Sequence, residues 1–231
     1  RSSSTSRGLG DVYKRQDLEI DKNSTGELAG KKVAVPLGTA AHYGFLKQMS
    51  HFGVDVGSME VVDMDPPDGA AAIAQGAVDM FCGWGGSLRR ALEHGNVLLT
   101  GAEKTDLGIL VFDVTSGPAD WVAENSDLVA KFLKITADAN EMWADESNHA
   151  KMLPAIAKDA GMDEEATAST MATFTFPTVG DQLSGAWLGG AAQEFMKGVA
   201  DVFVEANSID GALDSYEAAV NTGPLNAANG M

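Results

Sequence analysis

The sequence predicts an α/β fold, in one large or two small domains, on two observations. Short β-branched runs alternate with apolar-periodic helices between residues 31 and 99, and from residue 120 onward the pattern is mainly helical. Strands alternating with helices imply right-handed βαβ units on a parallel sheet. A long helical stretch with few strands of its own has little sheet to pack against.

Residues 31–36 (KKVAVP) form the first strand expected, followed by a Gly38-Thr39 turn and a helix over about residues 40–52 that Gly53 stops. Residues 59–64 (MEVVDM) read as the second strand. Pro66-Pro67 then open an Ala-rich helix, since proline suits a helix's first turn, and Gly76 closes it. Residues 77–82 (AVDMFC) are the third strand. A Gly83-Trp84-Gly85-Gly86 turn, an N-cap at Ser87 and a helix over 88–94 follow, before Gly95-Asn96 turns the chain into Val97-Leu98-Leu99. One more strand is expected at 108–115 (GILVFDVT). Helices are then expected over 120–125, 127–144, 148–160, 163–173, 190–206 and 211–220, with Asp163 as an N-cap and Gly161 as a C-cap. Residues 173–185 read as a loop with local extended structure.

Residues 1–16 (RSSSTSRGLGDVYKRQ) break this character. They carry four basic residues and one acid, and the chain from Asp17 onward holds 12 basic against 32 acidic residues. The string 11–16 (DVYKRQ) resembles a translated sequencing-library adapter, and the chain lacks an initiator Met. Residues 1–16 are therefore expected to be a non-native tail outside the fold. The native protein is expected to continue upstream, through more of the first lobe to a signal peptide.

The net charge of −17 disfavours polyphosphate and anionic membrane, which excludes nucleic acid as a partner class. A single cysteine, Cys82, excludes an internal disulfide and a multi-cysteine metal site. No G-x-S-x-G elbow, H-E-x-x-H pair, P-loop or dinucleotide fingerprint is present. The four histidines are scattered rather than paired for zinc, and the prolines among Asp63, Asp65 and Asp68 break a calcium-loop pattern. No metal and no cofactor is expected.

The candidate chemistry lies in strand-to-helix turns. Ligands of open parallel sheets bind beyond the carboxyl ends of the strands, and helix N-termini there present unsatisfied N–H groups to an oxyanion. Gly38 through Tyr43 has this character: Thr39 offers a hydroxyl, Ala40 and Ala41 allow close approach, and His42 and Tyr43 follow. The other reading of the turn is an ordinary capped helix with Tyr43 in the core. Trp84, among small residues, either walls a pocket or covers the sheet end. Asp113 sits in an apolar strand, where a carboxylate needs a partner, whether a ligand ammonium, a protein N–H or an arginine.

Residues 30–36 (GKKVAVP) with 39–43 (TAAHY) resemble the taurine-binding and aliphatic sulfonate-binding periplasmic proteins of ABC importers. So do residues 61–67 (VVDMDPP), 74–79 (AQGAVD), Gly83-Trp84, 92–95 (LEHG) and 112–114 (FDV), in that order. The wider group takes in nitrate and thiamine-pyrimidine precursor binders. The resemblance implies a type II periplasmic binding protein fold with lobe 2 at about 27–111 and the C-terminal part of lobe 1 at 112–231, the first lobe being truncated at its N-terminal side. It implies a monomeric solute-binding subunit that captures taurine or a related small sulfonate in an interlobe cleft and delivers it to ABC permease subunits. It places sulfonate contacts on Thr39, Ala40, His42 and Tyr43, an amine contact on Asp113, and Trp84 near the ligand. The chain departs from the taurine pattern at Gly38 and Ala40-Ala41 and in the glycines around Trp84. The alternative is a thiamine-pyrimidine synthesis enzyme of the same fold, which is expected to need a cysteine-rich motif that one Cys does not supply.

Overall fold

Two short strands, β1 (Ser4–Ser6) and β2 (Asp11–Arg15), precede the first strand expected from the sequence. The computed structural model describes residues 4–6, 11–109 and 111–231. The chain divides into two units, one of Ser6–Val111 and one of Phe112–Met231 with the start of the chain through Thr5.

In the first of these, β3 (Lys32–Val35) leads through α1 (Ala40–His51) to β4 (Glu60–Asp63). The chain then runs through α2 (Pro66–Ala74), β5 (Met80–Gly83), α3 (Gly86–Leu92), β6 (Gly95–Val97) and α4 (Gly101–Asp106). The five strands order as β4-β3-β5-β2-β6. β3 pairs in parallel with both β4 and β5, as βαβ connections require, while β2 runs antiparallel between β5 and β6. The sheet is thus mixed, not wholly parallel.

This corrects the expectation that residues 1–16 stand outside the fold. Val12 faces Cys82 and Tyr13 faces Phe81 across the ladder, and both β2 side chains are almost completely buried. Composition marked the segment as foreign, but its alternating hydrogen bonds and two apolar side chains complete the sheet between β5 and β6. Arg15 adds a charged anchor, with Nη2 2.5 Å from Asp17 and Nη1 donating to the Gly76 carbonyl at 3.3 Å.

Phe81 shows how closely this core is packed. A Cβ at Gly69 would lie 2.6 Å from one side of its ring, and a Cβ at Gly83 would lie 2.4 Å from its tip, so the ring has no room to retreat. Gly69→Ala is expected to destabilise the protein by about 1–3 kcal/mol, the usual range for overpacking. That outweighs the gain of up to about 1 kcal/mol that alanine brings to a helix interior. A urea midpoint equal to that of the parent chain would show that the ring can move aside.

In the second unit, β7 (Phe112–Asp113) is followed by α5 (Ala119–Glu124), α6 (Ser126–Ala144), α7 (His149–Ala160) and α8 (Glu164–Met171). Then come β8 (Phe174–Thr175), α9 (Val179–Leu183), α10 (Ala191–Glu205) and α11 (Gly223–Asn229). β1 lies between β7 and β8, with Ser4 opposite Asp113. Asp163 caps α8 by accepting from the Ala166 N–H at 2.7 Å, and Gly161 ends α7 at φ +65°. One face of α6 packs Ala137 against Leu225 and Val179. Another carries Leu128, Phe132, Ile135 and Met142, all exposed.

Three expectations are corrected here. The strand expected at 108–115 has only Phe112–Asp113 in ladder geometry, residue 110 lying outside the described residues. Residues 211–220 are not a helix beyond a 3-10 turn at Glu217–Ala219, because Gly211, Asp214 and Ser215 favour turns over a helix interior. The loop at 173–185 contains α9, started by a capping box in which Thr178 and Asp181 exchange hydrogen bonds.

Candidate anion site at the start of α1

Because β3 is parallel to β4 and to β5, all three strands end on one edge of the sheet. The first turn of α1, Asp63 and Trp84 therefore share that edge. Thr39 is the N-cap of α1, in extended geometry, and its Oγ1 accepts from the His42 N–H at 3.3 Å. The same hydroxyl donates to the Pro36 carbonyl at 2.6 Å, so its proton is used within the turn and not held out to a ligand.

Ala40 and Ala41 are the first two helical residues, and their N–H groups have no acceptor among the described residues. Such groups carry the positive end of the helix dipole. Ala40 is exposed, so its N–H is reachable, whereas Ala41 is fully buried.

His42 and Tyr43 turn inward, at 5% and 6% exposure. Burial pushes the Tyr43 phenol above its ordinary value and the His42 imidazole below its own, the nearby Asp63 carboxylate opposing the second shift. His42 Nδ1 accepts from the Gly38 N–H at 3.2 Å, and Asp63 Oδ1 accepts from the Leu37 N–H at 3.0 Å. The sequence reading weighed Asp63 as part of a broken calcium pattern and missed it as a neighbour of this turn. The available signal was its place at the end of a strand next to β3, where Val35 pairs with it.

Trp84 is half-buried just past β5, before Gly85, whose φ of +63° a side-chain-bearing residue would resist. Cys82 is fully buried, with its thiol donating to the Ala41 carbonyl at 3.2 Å. Asp113 is half-buried and belongs to the other unit. The structure thus gathers Thr39, Ala40, His42 and Tyr43 on one turn, with Trp84 on the same sheet edge.

The architecture is that of the type II periplasmic binding proteins. The chain superposes on the periplasmic aliphatic sulphonate-binding protein SsuA of Escherichia coli with a TM-score of 0.66 at 20% identity, over 92% of this chain and 66% of that one. The chain belongs to the NMT1/THI5-like family, whose model matches residues 12–150.

The taurine-binding periplasmic protein of Escherichia coli (strain K12) is 28% identical over 117 residues, 51% of this chain and 37% of that protein. The desulfurization enzyme DszB, solved as a mutant in complex with biphenyl-2-sulfinic acid, shares the fold at a TM-score of 0.67 and 14% identity, over the whole of this chain and 78% of that one. The chain therefore matches little more than a third of the length of the taurine-binding relative and about two thirds of the solved sulphonate-binding chain.

Proposed function

We propose that the protein is the periplasmic solute-binding component of an ABC importer, a monomer that captures taurine or a related small sulfonate for permease subunits. The observation that carries this reading is the start of α1, where the exposed Ala40 offers an N–H that has no acceptor among the described residues, at the ends of parallel strands. A sulfonate has three acceptor oxygens and one delocalised charge, which suits a set of backbone donors at a helix N-terminus. Relatives named for taurine and for aliphatic sulphonates support the ligand class. The ammonium of an aminosulfonate is assigned to Asp113.

An enzymatic reading, of the desulfurase or thiamine-pyrimidine kind, draws support from the shared fold of DszB. Against it stands Cys82, whose thiol is buried and engaged with the Ala41 carbonyl, where no substrate reaches it.

The test is titration calorimetry with taurine and ethanesulfonate on the parent and on Ala40→Pro. Proline is tolerated at the first helical position and removes one N–H, and Thr39 before it is already extended, as a residue preceding proline must be. The variant is expected to melt like the parent and to bind both sulfonates about 1.5–3 kcal/mol more weakly, the range for a hydrogen bond to a charged group. Full affinity in the variant would remove the α1 turn from the site. Absence of sulfonate binding by the folded parent chain would remove the function.

A further inference from the structure

Two side chains from different elements grip consecutive peptides of the loop that leads into α1. Asp63, at the end of β4, holds the Leu37 N–H at 3.0 Å, and His42, in the first turn of α1, holds the Gly38 N–H at 3.2 Å. Gly38 sits at φ +71°, in the left-handed region, and glycine is the residue freest to leave any one backbone conformation. The next residue is Thr39, the cap of the helix whose open Ala40 amide is the donor of the candidate anion site. Whatever fixes Gly38 therefore fixes the cap.

We infer that His42 is a positioning residue that locks the Leu37-Gly38-Thr39 loop through its unprotonated Nδ1, and that protonation of this nitrogen unlocks the loop and weakens anion binding. The inference rests on the sulfonate-binding reading for its ligand and on the two loop contacts for its mechanism. A nitrogen that accepts from a backbone N–H carries no proton, so the imidazole is neutral with its hydrogen on Nε2. Adding a proton to Nδ1 sets a donor against the Gly38 donor and breaks the contact.

The imidazole is nearly buried, and burial holds its pKa below the usual 6.5, with Asp63 pulling the other way. α1 packs on β2, β3 and β5, whose ionisable side chains include Tyr13, Lys14, Arg15, Lys32 and Cys82. The charge that acts on His42 is that of Asp63 on β4. The neutral form is therefore the folded form near neutral pH, and the contact fails only as pH falls below the ordinary imidazole range.

The sign of the pH effect separates this role from direct ligand contact. An imidazolium touching the sulfonate would tighten binding in acid, whereas an unlocked loop loosens it. The experiment follows Gly38 and Leu37 amide exchange in the unliganded protein between pH 7.5 and 5, corrected for intrinsic exchange, and taurine affinity over the same range. Parent, His42→Asn and His42→Leu are compared. Asparagine keeps an acceptor near the Nδ1 position and does not titrate, and leucine keeps the volume without the acceptor.

In the parent, Gly38 exchange is expected to accelerate in acid and taurine to bind about fivefold more weakly, the size of one neutral hydrogen bond. His42→Asn should hold its affinity across the range, and His42→Leu should show the acid behaviour at every pH. Tighter binding by the parent in acid, or Gly38 exchange indifferent both to pH and to His42→Leu, overturns the inference. If no sulfonate binds at any pH, the functional reading fails, and the exchange series still decides whether His42 locks the loop.

Discussion

Removing residues 1–16 is expected to destabilise the Ser6–Val111 unit severely. The deletion takes out β2, a strand with neighbours on both sides, and with it the ladder to β5 and β6. Val12 and Tyr13 are at 1% and 5% exposure, and full burial of a large apolar side chain is worth about 1.5–3 kcal/mol, so the two together contribute roughly 3–6 kcal/mol. The loss also uncovers Phe81 and Cys82 across the ladder, and it frees the Leu98 N–H from the Val12 carbonyl and Asp79 from Arg15. Set against a total stability of about 5–15 kcal/mol, this leaves little or nothing. The melting temperature should fall by on the order of 10 °C or more, at roughly 2–4 °C per kcal/mol for a chain of this size. Val12→Asp should reproduce most of the effect while keeping the chain length. An unchanged melting curve in both cases would restore the reading in which the segment stands apart from the fold.

That segment also shows where sequence reading reaches its limit. β3 and α1 were legible because a β-branched run, a Gly38-Thr39 turn and an apolar helical period follow one another within twenty residues. The cap at Asp163 and the left-handed Gly161 were legible for the same local reasons. β2 was not, because Val12, Tyr13 and Lys14 are all buried, so the strand has no alternation of apolar and polar residues, and its foreign composition pointed the other way. α11 begins at Gly223-Pro224, a pair that reads as a turn, although proline in a first turn is also a helix start.

At the candidate site, the turn at residues 39–43 was legible as a strand-to-helix turn from its position after β3. The roles inside it could not. Whether Thr39 points its proton at a ligand or at Pro36, and whether His42 faces solvent or Gly38, depends on a glycine at φ +71° and on the parallel register that brings Asp63 beside Val35. Neither is written in residue spacing.

Selectivity gives the second large effect. Taurine carries a sulfonate and an ammonium two carbons apart, so a protein that prefers it to ethanesulfonate needs one acceptor for the cation besides donors for the anion. In the proposed reading the α1 turn supplies a donor and the amine falls to Asp113, which is half-buried in β7 and opposite Ser4 in the ladder. Asp113→Asn is nearly isosteric, so its main change is the loss of charge. Truncating one partner of a desolvated charge pair costs about 2–5 kcal/mol, much of it from leaving the other charge unpaired, and taurine is expected to lose about 2–4 kcal/mol of affinity. Ethanesulfonate brings no cation to strand and should bind the variant as well as it binds the parent, or better. Titration calorimetry of the two ligands against the two proteins decides the matter. If both ligands weaken equally, Asp113 holds the backbone of β7 and the amine is read by another group. If neither weakens, the carboxylate lies outside the ligand's reach and the preference for an aminosulfonate loses its basis.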